Sequence, residues 1–244
     1  MIAEWTKLRT VRSSAWLLVA SVVITIALGL SLLAGILQQK GPHELDAARA
    51  GIWLHGLDLG QMMLAVLGAL IITTEYGTGT IRATLAAVPR RGRVLAAKIG
   101  GFAGLSVAVG ALSAFAMFLL AQPMLRSHGF DVPLADGVAW RGVALAALST
   151  AGVALLGLGT GLLVRHSAGA VTILLSVLLG VPIVGQFLPE GVRPVTQYLP
   201  AEAAWGMFTP SDISLDPGPA TVVFAGWVAA VLIAGAVAFV RRDA

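Results

Sequence analysis

The residues able to do chemistry in this chain are few, and their spacing argues against catalysis. His43, His55, His128 and His166 are scattered rather than clustered, and HELDA, beginning at His43, is not a zinc-helix motif. The absence of cysteine removes disulfides and every thiol or thiolate-metal reaction. Lys7, Lys40 and Lys98 follow Thr, Gln and Ala, so there is no Gly-Lys pair from which a P-loop could be built. No Ser-His-Asp set or paired-carboxylate array is readable. The sequence therefore predicts no catalytic residue, no metal site and no cofactor held by this chain itself, and it is not read as an enzyme.

What remains is a polar and basic excursion, EYGTGTIRATLAAVPRRGR (Glu75 to Arg93), set between two long apolar runs. Gly77 and Gly79 loosen the end of the preceding helix, and Thr78 or Thr80 can cap a new one. Ile81, Leu85 and Val88 then fall at i, i+4 and i+7, an apolar stripe on a helix of roughly two to three turns. Pro89 ends it, because proline cannot continue the ladder and disfavours helical geometry in the residue before it. Arg90, Arg91 and Arg93 follow as a cationic cluster. So short a helix is marginal alone in water, and its stripe needs a groove in a partner or the bilayer surface. An ordinary cytoplasmic loop whose arginines hold lipid phosphates reads equally well from the residues alone.

The elements that position this stretch are membrane spans. At 57% hydrophobic and 11% charged, with mean hydropathy +0.89, the composition lies far from a soluble domain, which carries about a quarter charged residues. We read an all-α polytopic membrane protein, a single transmembrane domain over 1–244. Its spans are expected at about 15–37, 56–74, 94–121, 140–164, 169–188 and 220–240. Residues 75–93 form the loop between the second and third, and 189–219 a longer segment before the last. The first run, about 34 Å at 1.5 Å per residue, is too long for a signal-peptide core. Before it, Ile2, Trp5, Leu8 and Val11 share one half of a helical wheel in 1–14, opposite Lys7, Thr10 and Ser14, which suits an interfacial helix.

Cations fix the expected orientation. Lys7, Arg9, Arg12, Arg82, Arg90, Arg91, Arg93, Lys98, Arg165, Arg241 and Arg242 fall on the side of the N-terminus, against Lys40, Arg49, Arg126, Arg141 and Arg193 on the other. The acids run the opposite way, and the positive-inside rule places both termini in the cytoplasm of a multi-pass cell-membrane protein. Basic residues at span ends, rather than on one soluble face, also argue against nucleic acid as a partner.

Charge within the spans is scarce. Asp58 and Glu75 bracket the second run, about 26 Å apart, with Gln61 one turn inside one mouth. Asp58 and Gln61 either line a cavity or sit near headgroups. In 189–219, the large side chains Tyr198, Leu199, Trp205, Met207 and Phe208 suggest a short helix dipping into the outer leaflet, anchored by Tyr198 and Trp205. GLGTG (Gly157 to Gly161) and GGFAG (Gly100 to Gly104) each contain G-x-x-x-G, which lets helices approach closely within a subunit or across a dimer. Pro182 is expected to kink the fifth span.

The pattern E-Y-x-x-G-T-I-R-x-T-L-x-x-x-P-x-R from Glu75, followed by A-x-K at Ala96 to Lys98, resembles the first cytoplasmic loop of type-2 ABC transporter permeases. The resemblance extends to the interfacial N-terminal helix, the six spans and the aromatic segment before the last. It implies an N-terminal elbow helix and a cytoplasmic coupling helix. It also implies a permease that dimerises and recruits separate ATP-binding-cassette ATPase subunits, on which ATP and magnesium sit, to export a substrate. Glu75, Thr80, Ile81, Arg82, Leu85, Pro89, Arg90 and Arg91 would then form the ATPase-binding stretch. Ile81, Arg82, Leu85 and Pro89 would dock into the ATPase, with Glu75 at the joint. Asp58, Gln61, Tyr198, Trp205 and Phe208 are the candidates for pathway or outer gate. Rival readings are an ion-coupled secondary carrier, which the scarcity of deep charges disfavours, and a non-transporting scaffold for a cytoplasmic partner.

Overall fold

The computed structural model describes residues 12–39, 52–54, 56–87, 90–128, 137–189, 191–208 and 214–241, and contains no strand among them. The long helices are α1 (Arg12–Gln39), α2 (Leu57–Gly77), α4 (Arg91–Ser127), α5 (Gly137–Val164) and α9 (Pro217–Arg241). A short α3 (Thr80–Ala87) stands between α2 and α4. The fifth span is composite: α6 (Ser167–Leu175), a π turn (Ser176–Gly180) and α7 (Val181–Gly185). Before α9 come a 3-10 turn (Arg193–Tyr198) and α8 (Pro200–Gly206).

Six helices are long and apolar enough to cross a membrane, so the chain is an all-α, multi-pass membrane protein in length and composition. Their bounds differ from the expectation in instructive places. Residues 12–14, expected in the interfacial helix, belong to α1; the remainder of 1–14 lies outside the described residues. α2 continues to Gly77, placing Glu75 and Tyr76 in the span rather than the loop. α4 has 37 residues, about 55 Å of helix, and runs through Pro123 to Ser127.

The most apolar stretch of α5 is 72% buried, whereas that of α9 is 17% buried, so α5 is the central helix and α9 a peripheral one. Lipid offers little hydrophobic drive between helices, so close packing of small residues must supply the attraction. Gly157 and Gly161 of α5 lie against the backbone of Ala65 and Ala69 of α2, and Gly68 of α2 lies against Ala154. GLGTG is therefore an internal seam. Gly100, Gly101 and Gly104 of GGFAG have open space where a Cβ would stand.

A second close approach sets the level of α2. Gly56 and Gly60 pack on Thr25 and Gly29 of α1, and the stretch of α1 beyond Gly29 is about 15 Å long. α2 thus begins well inside the bundle rather than flush with the tip of α1. Two apolar clusters fill the interior. One, around Trp53, Met117, Phe118, Met207 and Phe224, lies toward the start of α2. The other, around Ile72, Ile81, Phe102, Leu158 and Phe239, lies toward its end.

Pro182 is accommodated by the π turn that precedes it. Proline lacks an N–H and its ring crowds the carbonyl four residues back, and a wider turn at 176–180 relieves both problems.

Candidate functional site

Two places on α2, one at each end, bring together charged and polar side chains from different elements. At the C-terminal end, the Thr78 N–H donates to the Thr74 carbonyl (2.9 Å) and the Gly79 N–H to that of Tyr76 (3.2 Å). Gly79 turns the chain at φ +69°, a left-handed geometry that glycine adopts without penalty. The Thr78 and Thr80 hydroxyls meet at 3.0 Å as the chain enters α3.

α3 occupies the expected place, and of its apolar stripe the side chain of Ile81 turns into the bundle. Ile81 is 2% exposed and packs in the cluster that holds Leu95, Phe102 and Phe239. The bundle thus already satisfies the burial of Ile81, worth roughly 1.5–3 kcal/mol, without a partner chain. Thr80, Ala83, Ala86 and Ala87 are exposed, as is Arg90 beyond the helix. The backbones of Arg82 and Leu85 lie within α3, whereas Val88 and Pro89 lie outside the described residues.

At the same end of α2, the Lys98 ammonium donates to Glu75 Oε1 at 2.7 Å, with the two side chains 1% and 11% exposed. A charge in hydrocarbon needs a partner, and this pair lets α2 and α4 each carry one. Arg165, in the left-handed region at φ 61° after α5, places its guanidinium 4.7 Å from the centre of the Tyr76 ring and donates to the Ala238 carbonyl at 2.9 Å. Arg91 donates to the Val240 carbonyl at 3.2 Å. Both cations thus serve the negative C-terminal end of α9. The Ser167 hydroxyl reaches Thr73 at 2.8 Å and ties α6 to the same end of α2.

At the other end, Asp58, Gln61 and Trp205 line a cavity of about 520 Å³ bounded by α1, α2, α5, the fifth span and α8. Glu202 and Gln186 also line it, and leucine, isoleucine and methionine side chains make up most of the remaining wall. Gln61 is 5% exposed. Its Oε1 accepts from the Ser149 hydroxyl at 3.5 Å, while its Nε2 has no hydrogen-bond partner among the described residues. Burial pushes the Glu202 carboxyl above its ordinary pKa, an effect the charge of Arg193 partly offsets.

Of the five pathway or gate candidates, the cavity gathers Asp58, Gln61 and Trp205. Phe208 stands behind Trp205, edge-on with ring centroids 5.7 Å apart, and Tyr198 is exposed, its carbonyl accepting from the Trp227 indole at 2.8 Å. The sequence reading missed Lys98, Glu202 and Gln186 as site residues. Lys98 carried a usable signal, since a lone cation more than a turn inside an apolar run requires a partner and Glu75 is the acid at the same end. Glu202 and Gln186 carried none, because nothing local says that α8 folds back over the fifth span.

Compared with known proteins, no family model matches this chain and no curated protein matches it.

Proposed function

We propose that this chain is the transmembrane subunit of an ATP-driven exporter, taking mechanical work at α3 from a separate cytoplasmic ATP-binding-cassette subunit. The observation that carries this reading is the seating of α3: a two-turn helix between two spans, anchored by the buried Ile81 and exposed at Thr80, Ala83, Ala86 and Ala87. A push on its exposed face is delivered through Ile81 to the cluster shared by α2 and α4, the two helices that the Glu75–Lys98 pair links. α2 then carries the displacement over about 26 Å to Asp58 and Gln61 at the cavity. Docking thus falls to the outer face of α3 and to Arg90, with Ile81 as the lever's fixed end.

In this reading both termini and α3 face the cytoplasm, as the cation distribution requires, and two copies assemble. The outward strip of α4 through Gly100, Gly104, Val107 and Leu112, open and apolar, is the face we assign to the second copy. An ion-coupled carrier is the rival that one observation favours, because the Glu75–Lys98 pair is buried charge within the spans.

Co-expression with the flanking reading frames and pull-down on a tag at Ala244 tests the proposal. A P-loop ATPase is expected to co-purify. Ala83→Glu with Ala86→Glu should reduce its recovery at least about ten-fold, a change of 1.4 kcal/mol, while the chain still inserts. Vesicular transport driven by a proton or sodium gradient, with no ATPase present, would establish the rival instead.

A further inference from the structure

We propose that the cavity at the N-terminal end of α2 binds a protonated organic amine carried on an apolar body, its ammonium held between Asp58 and Glu202 and a neighbouring oxygen function held by Gln61. In the exporter reading, on which only the word substrate rests, this is the substrate class.

Among the described residues that line the cavity there is no lysine or arginine, yet two carboxyls from different elements, Asp58 of α2 and Glu202 of α8, face it. Arg193, the cation whose field reaches Glu202, is not among the described lining residues. A cation entering between the carboxyls supplies, inside the cavity, the countercharge that its described lining lacks.

Gln61 is the independent observation. It is 5% exposed, its Oε1 is engaged by Ser149, and its Nε2 has no partner among the described residues. A buried amide donor left unmade is costly, so a ligand that offers it a hydroxyl, ether or carbonyl oxygen gains what the empty site forgoes.

Size and wall chemistry choose between an organic and an inorganic cation. A calcium-like ion wants six to eight oxygens in a close shell. Here the lining oxygens are spread over a cavity of about 520 Å³ whose other walls include Leu28, Leu32, Met62 and Ile183. That volume falls in the small-molecule range of about 300–1,000 Å³, and Trp205 adds an aromatic surface of the kind that favours organic cations. A zwitterionic phospholipid fits poorly, because its phosphate would enter beside two carboxyls with no cation among the described lining residues to receive it.

The test uses the purified full chain in phosphatidylcholine nanodiscs without any ATPase. Calorimetry compares 4-phenoxybutylamine with its N-acetyl derivative, which keeps the ether oxygen and the apolar body but carries no charge. The amine is expected to bind at least about ten-fold more tightly. Asp58→Asn and Glu202→Gln should each abolish that preference, and Gln61→Leu should weaken both probes alike. Thermal unfolding checks that each variant folds, and Glu202→Gln, on a short helix outside the spans, keeps the test alive if Asp58→Asn does not fold. Equal binding of the two probes, an unchanged preference in a folded Glu202→Gln, or displacement of the amine by sodium, calcium or phosphatidylethanolamine at lower concentration would each overturn the proposal. Such a failure leaves the exporter reading to its pull-down, and loss of the ATPase with selective amine binding intact would sink the exporter reading alone.

Discussion

Glu75 and Lys98 are worth more to the bundle as a pair than either is alone. Removing one partner takes from the other its 2.7 Å contact among the apolar side chains of α2 and α4, and breaking buried pairs of this kind costs about 3–5 kcal/mol. Replacing both removes the two buried charges together. Lys98→Met and Glu75→Gln should therefore each lower the thermal unfolding midpoint in detergent sharply, whereas the double variant should recover most of the loss. Equal destabilisation by the double and single variants would show that the pair itself, and not the avoidance of a lone charge, holds α2 to α4. The sequence placed both residues at one end of adjacent spans. It did not pair them, because the pairing needs the register of α2 against α4, which no local pattern states.

At the scale of elements, the two G-x-x-x-G motifs separate by what lies across from them. A Cβ at Gly157 would run into the backbone of Ala65, and backbone cannot swing aside as a flexible side chain can. Gly157→Val should destabilise the chain by about 1–3 kcal/mol or more through overpacking. Gly104→Val meets open space and should leave the unfolding midpoint of the monomer in place. Measured side by side in detergent, equal losses for the two would mean that the outward strip of α4 is covered within the chain. The same contrast governs α3. Its apolar periodicity was readable, but periodicity says only that a stripe will be buried, and here the bundle itself, rather than a partner, buries Ile81.

For the whole molecule, the six-span reading and the cation bias make a topological prediction. A reporter fused after Ala244 should read cytoplasmic, and one inserted near Asp216, ahead of α9, should read external. Matching compartments for the two would remove α9 as a span and undo the orientation on which both ends of α2 are interpreted. The cavity belongs to this scale as well. Its walls come from α1, α2, α5, the fifth span and α8, so its depth follows from α2 starting about 15 Å below the tip of α1.

The sequence by itself determined the class, the number of spans and the short helix between the second and third. Each of these follows from composition, run length and 3.6-residue periodicity, all of which are local. It also named Asp58, Gln61 and Trp205 as polar or aromatic exceptions in an apolar chain. Only the tertiary structure decided that these three meet at one cavity with Glu202, that Lys98 neutralises Glu75, and that Ile81 faces inward. Those outcomes depend on helix register and rotation, which are set by the close approach of Gly56, Gly60, Gly157 and Gly161 to their neighbours. In lipid, small side chains choose where backbones touch, and the polar groups come together as that packing places them.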